Sequence, residues 1–333
     1  MTKEIFFKTF FSKKIGTGHF HRTINLAKSL SKKNTNIYFL VNQVFLKKKI
    51  TKENFKLKFI KKIYFFRNNQ SEIKFLKKNN ISNIIVDDPN FNYNQQVKYK
   101  KFIKKRMFIY QDTPKKNFAD VVINHNYIKN SKRIYKRLSK NNPRLLVGIK
   151  YFPKKNLNIP RKKVMKIKKI LIFFGGLPND KILKFVLNIL SKKYKEKIHI
   201  NCFIGIFNKQ FYSFKKNYRK IIFYKTKKQL IYLKHLHRSD LFIGSGGTSL
   251  MESLTFGIPS FVFCTAKNQL NNCRNFSKDK SIIFIKDKKL FEKKFMNLYL
   301  NVKKLNKIKV NALKFSNKIG SKNLTDELFK LIN

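Results

Sequence analysis

The chain has 333 residues, 42% of them hydrophobic, and carries 77 Lys and Arg against 16 Asp and Glu, a formal charge of +61. The length suits two α/β domains of ordinary size, and the apolar fraction allows sizeable cores despite the charge. Three scattered cysteines without a CxxC pair exclude a disulfide framework and a cysteine zinc site, and no apolar run approaches a membrane span.

In chain order, Glu4 to Phe11 reads as a first strand rich in Phe and Ile. A loop over Ser12 to Gly18 precedes a predicted helix from His19 to Ser31, with Phe20, Ile24, Ala27 and Leu30 on one face. Further strands are expected at Asn36 to Asn42, Asn83 to Asp87, Arg106 to Gln111 and Asp120 to Ile123, with a helix from Ser71 to Asn79. This alternation argues for a parallel, helix-covered sheet. From Asn141 to Lys168, Pro143, Pro153 and Pro160 sit among lysines and asparagines, the mark of a linker.

A second alternation follows. A strand is expected from Lys169 to Phe174, then the turn Gly175-Gly176 and a helix from Lys181 to Lys192. Strands follow at His199 to Ile204, Ile221 to Tyr224, Leu241 to Gly244, Ser260 to Phe263 and Ile282 to Ile285. Helices from Lys288 to Leu298 and Ser321 to Leu331 close the chain, the last able to pack back on the first lobe. The expected division is a first lobe of residues 1–145, a linker of 146–168 and a second lobe of 169–333. The predicted fold class is α/β, with two Rossmann-like lobes whose parallel sheets face a central cleft. Ligands of open α/β sheets lie outside the carboxyl ends of the strands. That rule gathers Gly16 to His19, Asp87-Asp88, Gly175-Gly176 and Gly244 to Thr248 at the cleft.

Two readings of the charge are open. One is a surface for nucleic acid or an anionic membrane. The other is codon bias, because only ten of the 77 basic residues are Arg and the lysines spread over the whole length. The second is preferred, since Arg is the residue of choice for bidentate phosphate recognition. Peripheral attraction to an acidic membrane is compatible with either. A cytoplasmic location is expected from the cysteine usage and from the lack of a signal-peptide pattern after Lys3.

The most informative stretch runs from Asp240 to Pro259: an apolar strand, a Ser245-Gly246-Gly247-Thr248 turn, a short helix and a Gly257 stop. Backbone approaches a phosphate closely only where side chains are small, and a helix N-terminus offers unpaired N–H groups. A nucleoside diphosphate is the natural ligand of such a corner, with Glu252 one turn on and in reach of ribose hydroxyls. Near the N-terminus, Gly16-Thr17-Gly18-His19 opens the first helix. His19 there is a candidate general base, its pKa lowered by the helix dipole so that it stays neutral, or simply a residue lining the turn. His21 is read as exposed or structural. Arg22 is read as a holder of phosphate or carboxylate, or as a surface ion pair. Asp87-Asp88 are candidates for acid–base or metal work, with helix capping equally open. Asn268-Gln269, after a strand end, could meet sugar hydroxyls or acetamido groups, or cap a loop.

Together these pieces resemble the PseG family of UDP-sugar hydrolases, related to SpsG-like and MurG-like proteins. The resemblance rests on Gly16-x-Gly18-His19-x-x-Arg22 with Leu26-Ala27, the strand ending at Asp87, and Phe174-Gly175-Gly176. It continues through Asn124-His125-Asn126, Asp240 to Gly247, Glu252, Gly257-x-Pro259 and Asn268-Gln269. It implies a GT-B fold and metal-free hydrolysis of a UDP-linked diacetamido-trideoxy sugar, in pseudaminic acid biosynthesis. By that resemblance His19 is the base that activates water. Gly18, Ser245, Gly246, Gly247 and Thr248 hold the diphosphate and Glu252 the ribose, while Asp87, Asn268 and Gln269 form the sugar side. No cofactor is implied, and a monomer is expected. The chain departs from the family at Asp87-Asp88-Pro89, where a tyrosine is absent unless Tyr93 replaces it, and around Tyr151-Phe152-Pro153, where an arginine is absent. A glycosyltransferase using a UDP-sugar donor needs the same base and is the alternative. A basic nucleic-acid-binding protein on a degenerate enzyme fold is the third reading, marked by steeply salt-dependent binding.

Overall fold

The computed structural model describes residues 3–10, 18–154, 166–176, 179–193, 198–205, 208–226 and 229–332. They form two compact units. The first begins with β1 (Lys3–Thr9), α1 (Gly18–Ser31), β2 (Thr35–Val41), α2 (Val44–Leu57), β3 (Ile60–Phe65) and α3 (Asn69–Asn79). It continues through β4 (Asn83–Asp87), α4 (Tyr93–Lys100), β5 (Arg106–Tyr110), β6 (Val121–Asn124), α5 (Ser131–Leu138) and β7 (Arg144–Val147). All seven strands are parallel, in the order β3-β2-β1-β4-β5-β6-β7. Parallel strands are covered on both faces, and so read as continuous apolar runs. Ile5–Phe7, Ile84–Val86 and Phe108–Tyr110 are buried accordingly. The apolar face of α1 predicted from its spacing is buried through Phe20, Ile24, Ala27 and Leu30. Asn68 caps α3 by accepting the Ser71 N–H, and Asn92 with Gln95 makes a reciprocal capping box on α4.

Where the sequence reading placed the start of a linker, at Asn141, the chain instead makes one more strand, β7, paired with β6. Pro143 stands just before this edge strand, a position where a missing N–H is tolerated. The helices α2 and α4 and the strand β3 were not legible in the sequence. Their lysines thin the apolar period, and β3 is an edge strand with Lys61 and Lys62 exposed.

The second unit comprises residues 152–321 with Tyr127–Lys129. It contains β8 (Lys169–Phe173), α6 (Asp180–Lys193), β9 (His199–Ile204), α7 (Phe211–Asn217), β10 (Ile222–Lys225) and α8 (Gln229–His237). There follow β11 (Leu241–Ser245), α9 (Thr248–Thr255), β12 (Ser260–Phe263), α10 (Leu270–Lys278), β13 (Ile283–Ile285), α11 (Leu290–Leu300) and α12 (Val302–Ser316). Its six parallel strands run β10-β9-β8-β11-β12-β13 over a core that includes Ile170, Ile172, Ile243, Phe261 and Phe291. The chain then returns to the first unit with α13 (Leu324–Leu331). There the Asn83 amide donates to the Ile332 carbonyl at 3.3 Å, Arg106 donates to the Leu331 carbonyl, and Lys3 lies over the Phe329 ring.

Strand order reverses between β1 and β4 in the first sheet and between β8 and β11 in the second. These switch points are where open α/β sheets receive ligands. One carries the predicted histidine and the other the predicted glycine turn.

Candidate functional site

At the first switch point, β1 and β4 run in register so that Thr9 lies beside Asp87 at their carboxyl ends. Gly16 and Thr17 lie outside the described residues. Gly18 is the exposed first residue of α1, with open space where a Cβ would stand. His19, one residue on, is 8% exposed. Its Nδ1 is 2.6 Å from Asp87 Oδ1. With the proton on Nδ1 donated to this carboxylate, Nε2 carries the lone pair of the neutral ring.

Asp87 is itself gripped. Arg22, one turn along α1, donates from Nε to Oδ2 at 2.7 Å and from Nη2 to Oδ1 at 2.6 Å. Thr23 Oγ1 adds a longer contact to Oδ2 at 3.3 Å. The third arm of Arg22 reaches Asp112 Oδ1 at 2.7 Å, and the guanidinium lies 4.2 Å over the Tyr110 ring. The ends of two adjacent strands, β4 and β5, thus converge on one arginine of α1. Asp112 also approaches the outer edge of the imidazole, its Oδ2 3.7 Å from Nε2.

Burial alone would push the His19 pKa down, but the Asp87 charge and hydrogen bond outweigh it, and the pKa is raised above 6.5. This corrects the expectation of a value lowered by the helix dipole: a carboxylate at contact distance outweighs a partial charge at a helix end. Burial would raise the Asp87 carboxyl, yet Arg22 and His19 hold it far below the usual carboxylate range. Asp112 is lowered, against its burial, by Arg22 and His19. His125, buried nearby, goes the other way: burial, then the charge of Arg22, lower it to about 4.

Several sequence expectations change here. Asp87, expected on the sugar side, is 1% exposed and committed to His19 and Arg22, so its observable task is to orient the imidazole. Arg22 holds two carboxylates, the buried Asp87 and the partly buried Asp112, which is the carboxylate-holding reading rather than the surface ion pair. Asp87 and Asp88 do not act as a pair. Successive strand residues face opposite ways, and Asp88 instead accepts the Asn90 N–H in a turn. Tyr93 packs its ring against Phe118 and under Lys116. His21 is exposed, as expected. Asp112 was missed, although it follows a predicted strand directly and the carboxyl-end rule that singled out Asp87 applies to it equally. Asn124 and Asn126 brace this region. Asn124 donates to Tyr135 Oη at 2.7 Å, and Asn126 donates to the Asp112 carbonyl at 2.8 Å.

At the second switch point, β11 ends in Gly244-Ser245 and α9 begins at Thr248 behind Gly247, an N-cap with no side chain to satisfy the first amides. Thr248 is exposed, and the first-turn N–H groups of a helix have no intrahelical acceptor. The amide of Gly246, expected to meet phosphate, instead donates to Gln269 Oε1 at 3.2 Å. The same oxygen accepts from the Thr265 N–H and hydroxyl, both at 3.1 Å. Gln269, expected to contact sugar, is therefore a brace of the glycine turn. Asn272, not anticipated, completes the brace by donating to the Gly246 carbonyl at 3.1 Å. Gly246 must be glycine for a steric reason: a Cβ there would stand 2.3 Å from Cys273 Sγ. Asn268 lies half-buried in the short 3₁₀ turn Lys267–Gln269. Glu252, half-buried on α9, accepts from Gln229 Nε2 at 2.8 Å. Beside it a small recess is lined by Phe152, Lys154, Leu233, Thr255 and Phe256. Of the turn expected to hold diphosphate, Gly247 and the start of α9 are not part of this brace.

Among the described residues, no cluster of three or more His, Cys, Asp or Glu is arranged to hold a metal ion. No described helix is long and apolar enough to cross a membrane.

No known family profile matches the chain. An uncharacterized protein of Methanocaldococcus jannaschii, MJ1062, is 29% identical over 266 residues, covering 75% of this chain and 53% of that protein. The chain thus spans about half the length of the curated relative it matches. Among solved structures, Acinetobacter baumannii MurG superposes with a TM-score of 0.65 at 15% identity, covering 99% of this chain and 98% of that one. LpCGTa in complex with UDP gives 0.68 at 11% identity, with both chains fully covered. Arabidopsis thaliana UGT89C1 complexed with UDP-L-rhamnose gives 0.65 at 11% identity, covering 100% and 99%. At such identities the likeness shows the fold alone: two parallel-sheet α/β lobes of GT-B type.

Proposed function

We propose that this protein is an enzyme that takes a UDP-sugar as donor and moves its glycosyl group to an oxygen nucleophile activated by His19. The observation that carries the reading is the His19–Asp87–Arg22 arrangement at a switch point of a GT-B-type sheet. A base oriented through Nδ1 by a fixed carboxylate presents Nε2 to the nucleophile. The second unit supplies the nucleotide grip: Gly247 and the first turn of α9 for the diphosphate, and Glu252 for the ribose. Main-chain amides at a helix start stabilise the charge that develops on departing UDP. The UDP and UDP-sugar complexes of fold neighbours support a UDP donor. Their class favours transfer to an acceptor hydroxyl, and the resemblance to PseG favours water.

The test is a panel of UDP-sugars assayed for UDP release with and without candidate acceptors. His19→Ala is expected to lower turnover by roughly 10²–10⁴-fold while leaving UDP affinity intact. Glu252→Ala is expected to weaken UDP binding about tenfold, read by calorimetry. UDP release that survives His19→Ala, or a UDP affinity indifferent to Glu252, would count against the assignment.

A further inference from the structure

We infer that the corner between α11 and α12 is a docking surface for an anionic lipid bilayer, into whose headgroup layer it places an apolar tip flanked by lysines. This surface is independent of the donor chemistry proposed above. The two helices are fixed to the second unit by their inner faces, through Phe291 and Phe295 on α11 and Leu305 and Ile308 on α12. Met296, Leu300 and Val302 take no part in that core and are 48%, 74% and 40% exposed. Leu300 is the most exposed large apolar side chain among the described residues. Met296 and Leu300 adjoin at i,i+4 spacing, and Val302 follows across the turn. Asn301 holds that turn in place. Its side chain accepts the Lys304 N–H at 2.8 Å, and its own N–H donates to the Leu298 carbonyl at 3.3 Å. Single exposed apolar side chains are ordinary, whereas several gathered at one fixed turn mark a contact surface.

Charge identifies what covers it. The two helices carry seven Lys, one Glu and no Arg. The one acid, Glu292, is paired with Lys193. Lys293 stands one turn before Met296, and Lys303 and Lys307 lie one turn apart on α12. All three are exposed and have no acidic partner among the described residues. Lysine suits the edge of a bilayer, because its stem lies along apolar surface while its ammonium stays at the level of the phosphates. Basic residues beside an aliphatic tip are the pattern of interfacial binding, and anionic lipid supplies the complementary charge. A protein partner fits less well, since the cores of protein interfaces are poor in Lys and rich in aromatic residues and Arg. Nucleic acid would engage the lysines but leave the aliphatic tip in water.

The experiment is co-sedimentation of the full chain with vesicles of phosphatidylcholine and phosphatidylglycerol in equal parts, against vesicles of phosphatidylcholine alone. Binding to the mixed vesicles is expected, with little to the reference. Leu300→Ser should lower the partition coefficient roughly tenfold. Lys303→Glu with Lys307→Glu should lower it roughly tenfold or more. The same two reversals at the exposed Lys132 and Lys136 of α5 change the net charge equally and should have a smaller effect. The chain has no Trp, so Leu300→Trp provides a single reporter whose emission should shift to the blue on the mixed vesicles. Circular dichroism checks that each variant folds. Equal losses from both lysine pairs, with no effect of Leu300→Ser, would assign the attraction to the diffuse charge of the chain and overturn the inference. Sedimented Leu300→Trp protein with unshifted emission would overturn it too, as would failure of the wild type to bind. A dimer in solution that Leu300→Ser dissociates would make a second copy the occupant, and would also overturn it.

Discussion

The two switch points use the same backbone plan and opposite chemistry. At the β1–α1 end, four charged or titratable side chains from α1 and two strand ends are packed together: His19, Arg22, Asp87 and Asp112. At the β11–α9 end, a glycine turn is held by neutral amides, Gln269 and Asn272, and by close packing on Cys273. The first is governed by charge balance and so by pH. The second is governed by excluded volume. A group that must gain or lose a proton needs neighbours that shift its pKa. The diphosphate grip proposed for the second would need bare main-chain amides, which glycine leaves accessible.

The comparison breaks most visibly at Arg22. Arg22→Met leaves the buried Asp87 and the partly buried Asp112 without their cation, and a stability loss of about 3–5 kcal/mol is expected, measured by urea unfolding. If the loss is no larger than for an exposed arginine such as Arg133, the first switch point is not an electrostatic unit.

The next effect is in pH dependence. His125 has a folded pKa lowered to about 4, so it contributes stability above the unfolded value of about 6.5 that is lost as pH falls towards 4. The loss approaches about 3 kcal/mol. His19 has the opposite sign: with its folded pKa raised, its contribution is complete below about 6.5 and is lost as pH rises through the folded value. Asp87 and Asp112, both depressed, contribute above the ordinary carboxylate pKa and lose that contribution as pH falls through their folded values. His125→Asn should therefore flatten the melting-temperature profile between about pH 6.5 and pH 4, while His19→Asn should flatten only the neutral side. Superimposable profiles for the two variants would refute the assignment.

The smallest effect sharpens the second region. Gly246→Ala forces a methyl against Cys273 Sγ and should cost about 1–3 kcal/mol. Adding Cys273→Ala should restore part of that loss, with little dependence on pH. A strongly pH-dependent Gly246→Ala penalty would erase the distinction between the two regions.

Legibility in the sequence followed the same division. The strands Asn83–Asp87, His199–Ile204 and Ser260–Phe263 could be read to the residue because they are short, apolar and bounded by polar turns. The helices α2, α4, α5, α7, α8, α10 and α12 could not, since polar and basic residues interrupt their apolar faces. His19 and the Ser245–Thr248 turn stood out through their glycines. Asp112 did not, because an aspartate after a strand has no distinctive neighbours until the sheet order is known. Asp87 and Gln269 were noticed as sugar-side residues, whereas their contacts hold an imidazole and brace a turn.

Sequence alone determined the alternation of strands and helices, the two glycine-led helix starts and their place at carboxyl ends. These are local properties, set by side-chain periodicity and by where backbone must be bare. Only the tertiary structure decided which charges meet. The order β1-β4-β5 brings residues 19, 22, 87 and 112 together, and a pKa is set by what lies within a few ångströms in space. No local pattern encodes that distance.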